Sequence, residues 1–258
     1  EWLIAKVWRK KIIYDFDDAI WLPNTSAANR LVAPLKCHWK VKWICRWAHR
    51  VSCGNDFLAE YARQYNRRVR VIPTLVDTQR QHNRLKDHRP GRVTVGWTGS
   101  HSTLRYLQPL VPVLQELERE FSFDTLVIAD QDPALPLQGY HFQPWRQENE
   151  IEDLLEIDIG LMPLDDTSWA RGKCGFKAIQ YLALGIPAVA SPVGVNPKIV
   201  QKGHTGHLCR TPEEWKRALR ELMRNALQRE RMGQAGRAFI EQHYSVRAWR
   251  EAFQKLFD

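Results

Sequence analysis

The sequence predicts an α/β protein of two domains with parallel sheets. Three observations lead there. Short apolar runs alternate with longer amphipathic segments, as βαβ units require. Several of those runs end in glycine, serine or proline turns, which are strand-to-helix connections. The polar, charged stretch 79–92 separates two such alternating series and reads as a linker or boundary.

In the first series, residues 11–14 (KIIY) form a short buried strand that runs into Asp15, Asp17 and Asp18. A polar loop with Pro23 and Asn24 follows. Residues 36–50 are expected to be helical, with Trp39, Trp43 and Trp47 at i, i+4 and i+8. Residues 50–53 are a second strand, closed by Gly54 and by Asn55 as helix cap. A helix over 57–64 and a strand over 69–72, ended by Pro73, complete this half.

In the second series, strands are expected at 93–97, 125–129, 140–142, 157–162, 187–190 and 207–209. Helices are expected at 103–120, 148–155, 176–184, 197–202, 213–242 and 246–256. Such an alternation gives a parallel sheet covered on both faces, which binds ligands at the carboxyl ends of its strands.

Composition narrows the classes. No run of 18 apolar residues exists, so no transmembrane helix is predicted. The five cysteines form no Cys-x-x-Cys pair and are odd in number, which argues against a disulfide framework or a zinc site. The net charge of +9 is uneven. Residues 1–92 hold 19 Lys and Arg against 8 Asp and Glu, while residues 93–258 hold 19 against 21. A basic front half suits anionic lipid, nucleic acid or a phosphorylated substrate, and equally a solvated surface.

Two places invite chemistry. The turn from Gly96 to Thr103 joins a strand to a helix, so its glycines and helix-start N–H groups suit a phosphate. It matches neither Gly-x-Gly-x-x-Gly nor a P-loop, and a plain turn fits it as well. The segment 165–180 (DDTSWARGKCGFKAIQ) follows an apolar strand and precedes a helix, and it offers Asp165, Asp166, Arg171, Lys173 and Lys177. Cations beside a helix start suit a pyrophosphate. The acidic cluster at 15–18 invites a metal reading, against a helix-capping or solvated role. The tryptophan row between Lys36, Lys40, Lys42, Arg46 and Arg50 reads first as core packing, and second as an interfacial face on anionic lipid.

The residues 180–191 (QYLALGIPAVAS) resemble the "E-A-M-A-x-G-x-P-V-V-A-S" region of the retaining group 1 (family 4) glycosyltransferases of bacterial polysaccharide and lipopolysaccharide synthesis. Other pieces agree in order. Val71 to Asp77 resembles "v-I-P-N-G-V-D", Gly203 to Gly206 a later loop, and Met232 to Arg237 "M-G-x-x-A-R". The resemblance implies a GT-B fold with two Rossmann-like domains, the first incomplete. It implies domains at 1–90 (acceptor side), 91–243 (nucleotide-sugar donor side) and a helix at 244–258 crossing back. Relatives carry roughly a hundred further residues ahead of this point, in keeping with a first domain of ordinary size.

The resemblance implies sugar transfer from a nucleotide-diphosphate donor to a saccharide or lipid-linked acceptor, in the cytoplasm or at the inner face of the cytoplasmic membrane, in cell-surface polysaccharide biosynthesis. It implies no metal cofactor. Catalytic candidates are Asp17, Lys173 and Lys177. Donor-binding candidates are Gly99, Ser100, His101, Trp145, Asp165, Asp166, Gln180 and Gly194. The family's Glu-x7-Glu pair falls on Gly172 and Gln180, and its usual Arg and Lys on Trp97 and Ser102. An amide at Gln180 still hydrogen-bonds hydroxyls. The other readings are a nucleotide-sugar epimerase of the same fold, a degenerate scaffold, and a basic nucleic-acid binder, for which no recognition motif is present.

Overall fold

The computed structural model describes residues 1–23 and 37–258. The loop at Asn24 and the expected helix start at Lys36 lie outside the described residues. In chain order the elements are β1 (Ile13–Phe16), α1 (Lys40–Trp47), β2 (Arg50–Cys53), α2 (Asp56–Arg63), β3 (Val69–Val71), β4 (Val93–Gly99), α3 (Val111–Glu118), β5 (Phe123–Ala129), β6 (Tyr140–Pro144), α4 (Glu150–Leu155) and β7 (Ile159–Met162). There follow α5 (Ser168–Arg171), α6 (Phe176–Ala183), β8 (Ala188–Ala190), α7 (Asn196–Ile199), β9 (Gly206–Leu208), α8 (Pro212–Arg224), α9 (Ala226–His243) and α10 (Val246–Gln254).

The chain divides into two compact units. The first comprises Glu1–Thr74, Asp166–Cys174 and Trp249–Asp258; the second comprises Leu75–Asp165 and Gly175–Ala248.

In the first unit β1, β2 and β3 pair in that order, all parallel. The core gathers Phe16, Val41, Cys45, Val51, Leu58 and Ala62. Beside it Trp21 stacks flat on Tyr61 with ring centres 3.9 Å apart. Asn55 caps α2 by accepting the Leu58 N–H, as the sequence predicts. The tryptophan row corrects the core-packing reading. α1 buries Val41 and Cys45 instead, with Ala48 just beyond them. Trp39 stays 60% exposed. Trp43 and Trp47 are half-buried, stacked on each other, with Lys42 and Arg46 over the Trp43 ring. Val41, Cys45 and Ala48 follow the same helical period one stripe over and join the core of this unit.

The second unit is a six-stranded parallel sheet in the order β6-β5-β4-β7-β8-β9. This is the doubly wound arrangement, which reverses direction between β4 and β7. Alternate residues feed two cores, one per face. Val127, Ile159, Leu161 and Val189 join one, with α3 and α8. Leu126, Ile128, Met162 and Ala190 join the other, with α6 and α9. The near-continuous apolar strands of the sequence reflect burial on both faces.

Where β4 meets β7, Gly96 pairs with Gly160. A Cβ on Gly160 would lie 2.3 Å from the Tyr181 ring, and one on Gly96 would lie 2.2 Å from Ile157. The two glycines thus open the space that Ile157 and Tyr181 fill. Gly233 on α9 faces the Gly185 carbonyl so closely that a Cβ would overlap it, which gives the Met232–Arg237 motif its packing role.

Two expected helices differ. The segment read as one helix from Thr103 opens as 3₁₀ turns, His101–Tyr106 and Gln108–Leu110, before α3. Pro109 and Pro112 remove the N–H groups an unbroken α-helix would use. The segment read as helical from Glu213 is two helices, divided at Asn225, whose side chain caps α9 by accepting the Gln228 N–H. The polar stretch 79–92 contains neither helix nor strand but packs on the second unit, burying His82 and His88.

Candidate functional site

The strand reversal between β4 and β7 directs attention to the carboxyl ends of the strands. A cavity of about 270 Å³ opens there. Its wall is drawn from the ends of β4 (Thr98, Gly99), β5 (Asp130) and β6 (Trp145), and from the start of α6 (Phe176, Lys177, Gln180). Of the predicted donor-binding residues, Gly99, Ser100, Trp145 and Gln180 come together here, together with Lys177.

The turn after β4 is held from three sides. Tyr181 accepts the Thr98 N–H at 3.0 Å. Ser100 donates its N–H to Thr103 Oγ1 at 3.1 Å and caps the 3₁₀ turn. His101 donates its N–H to Asp130 Oδ1 at 2.6 Å, and its Nδ1 meets Oδ2 at 2.6 Å. Burial acts to raise Asp130, but these bonds from His101 hold its carboxyl below the ordinary value. The Ser100 N–H, expected to face a phosphate, is therefore already spent inside the turn. Gly99 is glycine because a Cβ would lie 2.4 Å from the Trp97 ring.

The open positive end in this cavity belongs to α6. No side chain caps it, and its N-cap residue Gly175 has φ of 72°. Its first N–H groups lack intrahelical partners and carry the positive end of the helix dipole. Lys177 sits on that first turn with its ammonium 5.6 Å from the centre of the Trp97 ring. Trp97 thus lies under a cation supplied from α6.

Gln180 is 2% exposed and lines the same cavity. Its Nε2 finds no hydrogen-bond partner among the described residues. A buried amide group without a partner costs about 1–3 kcal/mol. Trp145 is 45% exposed, and its Nε1 donates to Glu150 at 3.1 Å. That bond fixes an indole at the rim.

The remaining predicted residues lie elsewhere. Asp165 lines a second cavity of the same unit. Gly194 is an exposed turn residue with φ of 57°. Asp17, Asp166 and Lys173 belong to the first unit. There Lys173 pairs with Asp18 at 3.0 Å, and Asp166 receives a two-pronged bond from Arg171. The Asp17 side chain is exposed, and its carbonyl accepts from the Cys174 thiol. Asn55 donates to the carbonyls of Gly172 and Lys173 and so fixes this segment. Burial pushes the thiols of Cys45, Cys53, Cys174 and Cys209 up to about 12, which leaves them protonated and inert. Sequence reasoning missed Asp130, Glu150 and Tyr181. Only the strand order, which sets the ends of β5 and β6 beside that of β4, brings the two carboxylates in.

Residues 134–239 match the family model for glycosyl transferases group 1. No curated protein matches the chain in sequence. Among solved structures the chain is similar to sucrose-phosphate synthase from Thermosynechococcus elongatus, with a TM-score of 0.73 at 14% identity over 99% of this chain and 70% of that one. It is similar to Anabaena HepE in complex with UDP and glucose, with a TM-score of 0.73 at 16% identity over 97% of this chain and 72% of that one. The C-terminal domain of a group 1 glycosyl transferase, LpcC, from Francisella tularensis matches 66% of this chain and 99% of its own, with a TM-score of 0.53 at 17% identity. At such identities the structural likenesses carry the fold, and the family match carries the activity class. Together with the doubly wound sheet these likenesses give the chain the GT-B fold, and residues 134–239 within it are similar to group 1 glycosyl transferases.

Proposed function

We propose that the chain moves a sugar, with retention of configuration, from a nucleoside diphosphate donor to a saccharide or lipid-linked acceptor in cell-surface polysaccharide synthesis. The observation that carries this reading is Gln180, a buried residue that lines the cavity at the strand reversal and whose Nε2 has no hydrogen-bond partner among the described residues. A ribose hydroxyl would satisfy it. Trp145 at the rim offers a face for the base. Lys177 and the uncapped start of α6 would take the diphosphate, in place of the Ser100 N–H. As the sugar bond breaks, charge grows on the departing diphosphate, and a fixed cation with oriented N–H groups stabilises it there. In this reading positive charge comes from the protein, without a resident metal. Within the first unit, Asp17 is the proposed acceptor-side base and Lys173 a further phosphate-side cation.

HepE is described in complex with UDP-glucose, so UDP-glucose is the first donor to try. Calorimetric titration with UDP, GDP and their sugars tests the reading. Saturable binding of one nucleotide, weakened about tenfold in Gln180→Ala and in Lys177→Ala, supports it. A folded chain that binds none of them overturns it.

The peripheral membrane reading rests on α1. Its basic and aromatic face carries exposed Trp39 with Lys42 and Arg46 against Trp43. Tryptophan favours the headgroup level, and each basic residue contributes about 1 kcal/mol near an anionic surface. No described helix is long and apolar enough to cross a membrane.

A further inference from the structure

The second unit has another cavity, of about 260 Å³, on the α3 and α8 side of the sheet. It lies at the carboxyl ends of β7 and β8, lined by Pro163, Leu164 and Ser191. Its floor is apolar, formed by Leu110, Val113 and Trp215 among others. Two arginines line it as well, Arg105 and Arg210.

Arg105 is held in place rather than loose. Its Nη2 donates to the Tyr106 hydroxyl at 2.9 Å, and its guanidinium lies 4.9 Å from the centre of the Tyr106 ring. Tyr106 is itself buried. Arg210 engages Glu214 only through its backbone N–H. Neither guanidinium pairs with a carboxylate among the described residues. Asp165 is the single carboxylate of the lining, so the wall keeps a net positive charge. The start of α8 adds no anion site, because Thr211 and Glu214 already satisfy it as a capping box.

We propose that this cavity is a second ligand site for a small amphipathic anion: a single ring or short chain that bears a carboxylate. The apolar floor takes the body, and Arg105 with Arg210 takes the head, where a planar guanidinium meets a carboxylate through two bonds. The volume sets the size, since pockets for drug-sized molecules start at about 300 Å³. The site differs from the donor cavity in lining, sharing no residue with it. The two are nonetheless joined by one short segment. Ser100 lines the donor cavity, and Arg105 and Tyr106, at the far end of the same 3₁₀ turn, line the second. The binding proposed here does not rest on the proposed donor reading.

The test titrates the full chain with 4-phenylbutyrate and with its neutral counterpart 4-phenylbutan-1-ol, by calorimetry. The carboxylate is expected to bind at least tenfold tighter than the alcohol. Arg105→Gln combined with Arg210→Gln should erase that preference while the alcohol still binds. Leu164→Trp, which fills the cavity, should abolish both. Circular dichroism on each variant confirms folding, and the substituted arginines are exposed. Equal affinity for the two probes, or a preference untouched by the double substitution, overturns the proposal. So does displacement of 4-phenylbutyrate by a nucleotide in direct competition, which would place the probe in the donor cavity. If no nucleotide binds at all, the donor reading fails while the carboxylate titration still decides this site.

Discussion

The Tyr181 hydroxyl accepts the backbone N–H of Thr98 at 3.0 Å, and so ties the middle of α6 to the end of β4. Burial pushes the phenol well above its ordinary value, which keeps it neutral at every physiological pH. Tyr181→Phe leaves a buried N–H without its partner. The expected cost is about 1–3 kcal/mol of stability in a urea titration. Because the turn from Thr98 to Ser100 lines the proposed donor cavity, nucleotide affinity is expected to fall several-fold as well. Wild-type affinity in a destabilised Tyr181→Phe would remove the tyrosine's positioning role.

Gly160→Ala would drive a methyl group into the Tyr181 ring, 2.3 Å away. Overpacking of this kind costs about 1–3 kcal/mol. Pairing it with Tyr181→Leu should recover part of that loss, a non-additive result expected of side chains in contact. Strict additivity in a double-mutant cycle would contradict the packing described.

Asp158 gives a pH prediction. Burial acts to raise it, but the His88 ring, the Thr94 N–H and the Lys86 ammonium outweigh burial and hold it below its ordinary 3.8. A carboxylate depressed in the folded state stabilises fully above its unfolded value, and that contribution fades as pH falls through the folded one. Asp158→Ala is therefore expected to cost about 3 kcal/mol near neutral pH. The gap to wild type should narrow below about pH 4. A gap that stays constant down to pH 2 would sink the assignment.

The basic and aromatic face of α1 predicts binding to vesicles containing phosphatidylserine but not to purely zwitterionic ones. Lys42→Gln with Arg46→Gln should weaken co-sedimentation by about 2 kcal/mol, near thirtyfold, at low salt. An effect independent of salt would point away from an electrostatic surface.

The sheet of the second unit was readable because its strands are apolar on both faces and end in glycine or proline. The strands expected at 93–97 and 157–162 appear, with shifted ends, as Val93–Gly99 and Ile159–Met162. Gly99 and Lys177 could be placed at the candidate site for the same reason, since they flank such strands, whereas Gln180 came through the family resemblance. What was hidden depends on three-dimensional neighbours. Asp130 and Glu150 carry no local signal, and Tyr181 reads simply as an apolar helix residue. The Trp39, Trp43 and Trp47 row misled because periodicity names a helix stripe without saying which of two adjacent stripes faces the sheet. The 3₁₀ entry to α3 was signalled by Pro109 and Pro112, yet an apolar periodicity spanning both concealed it.

The guanidinium of Arg237 on α9 donates to the carbonyls of Thr78, His82 and Ala183, and its Nε to Glu241. Arg229 likewise reaches the carbonyl of Arg89 at 3.0 Å. A stretch with no helix or strand is thereby riveted at several points along its length. Its polar composition suggests a protease-sensitive tether, but its backbone is expected to resist limited digestion as well as the sheet does. A shortened protein meant to carry the second unit must therefore begin no later than Leu75, because a start at Arg92 would strip α9 of the carbonyls its two arginines hold.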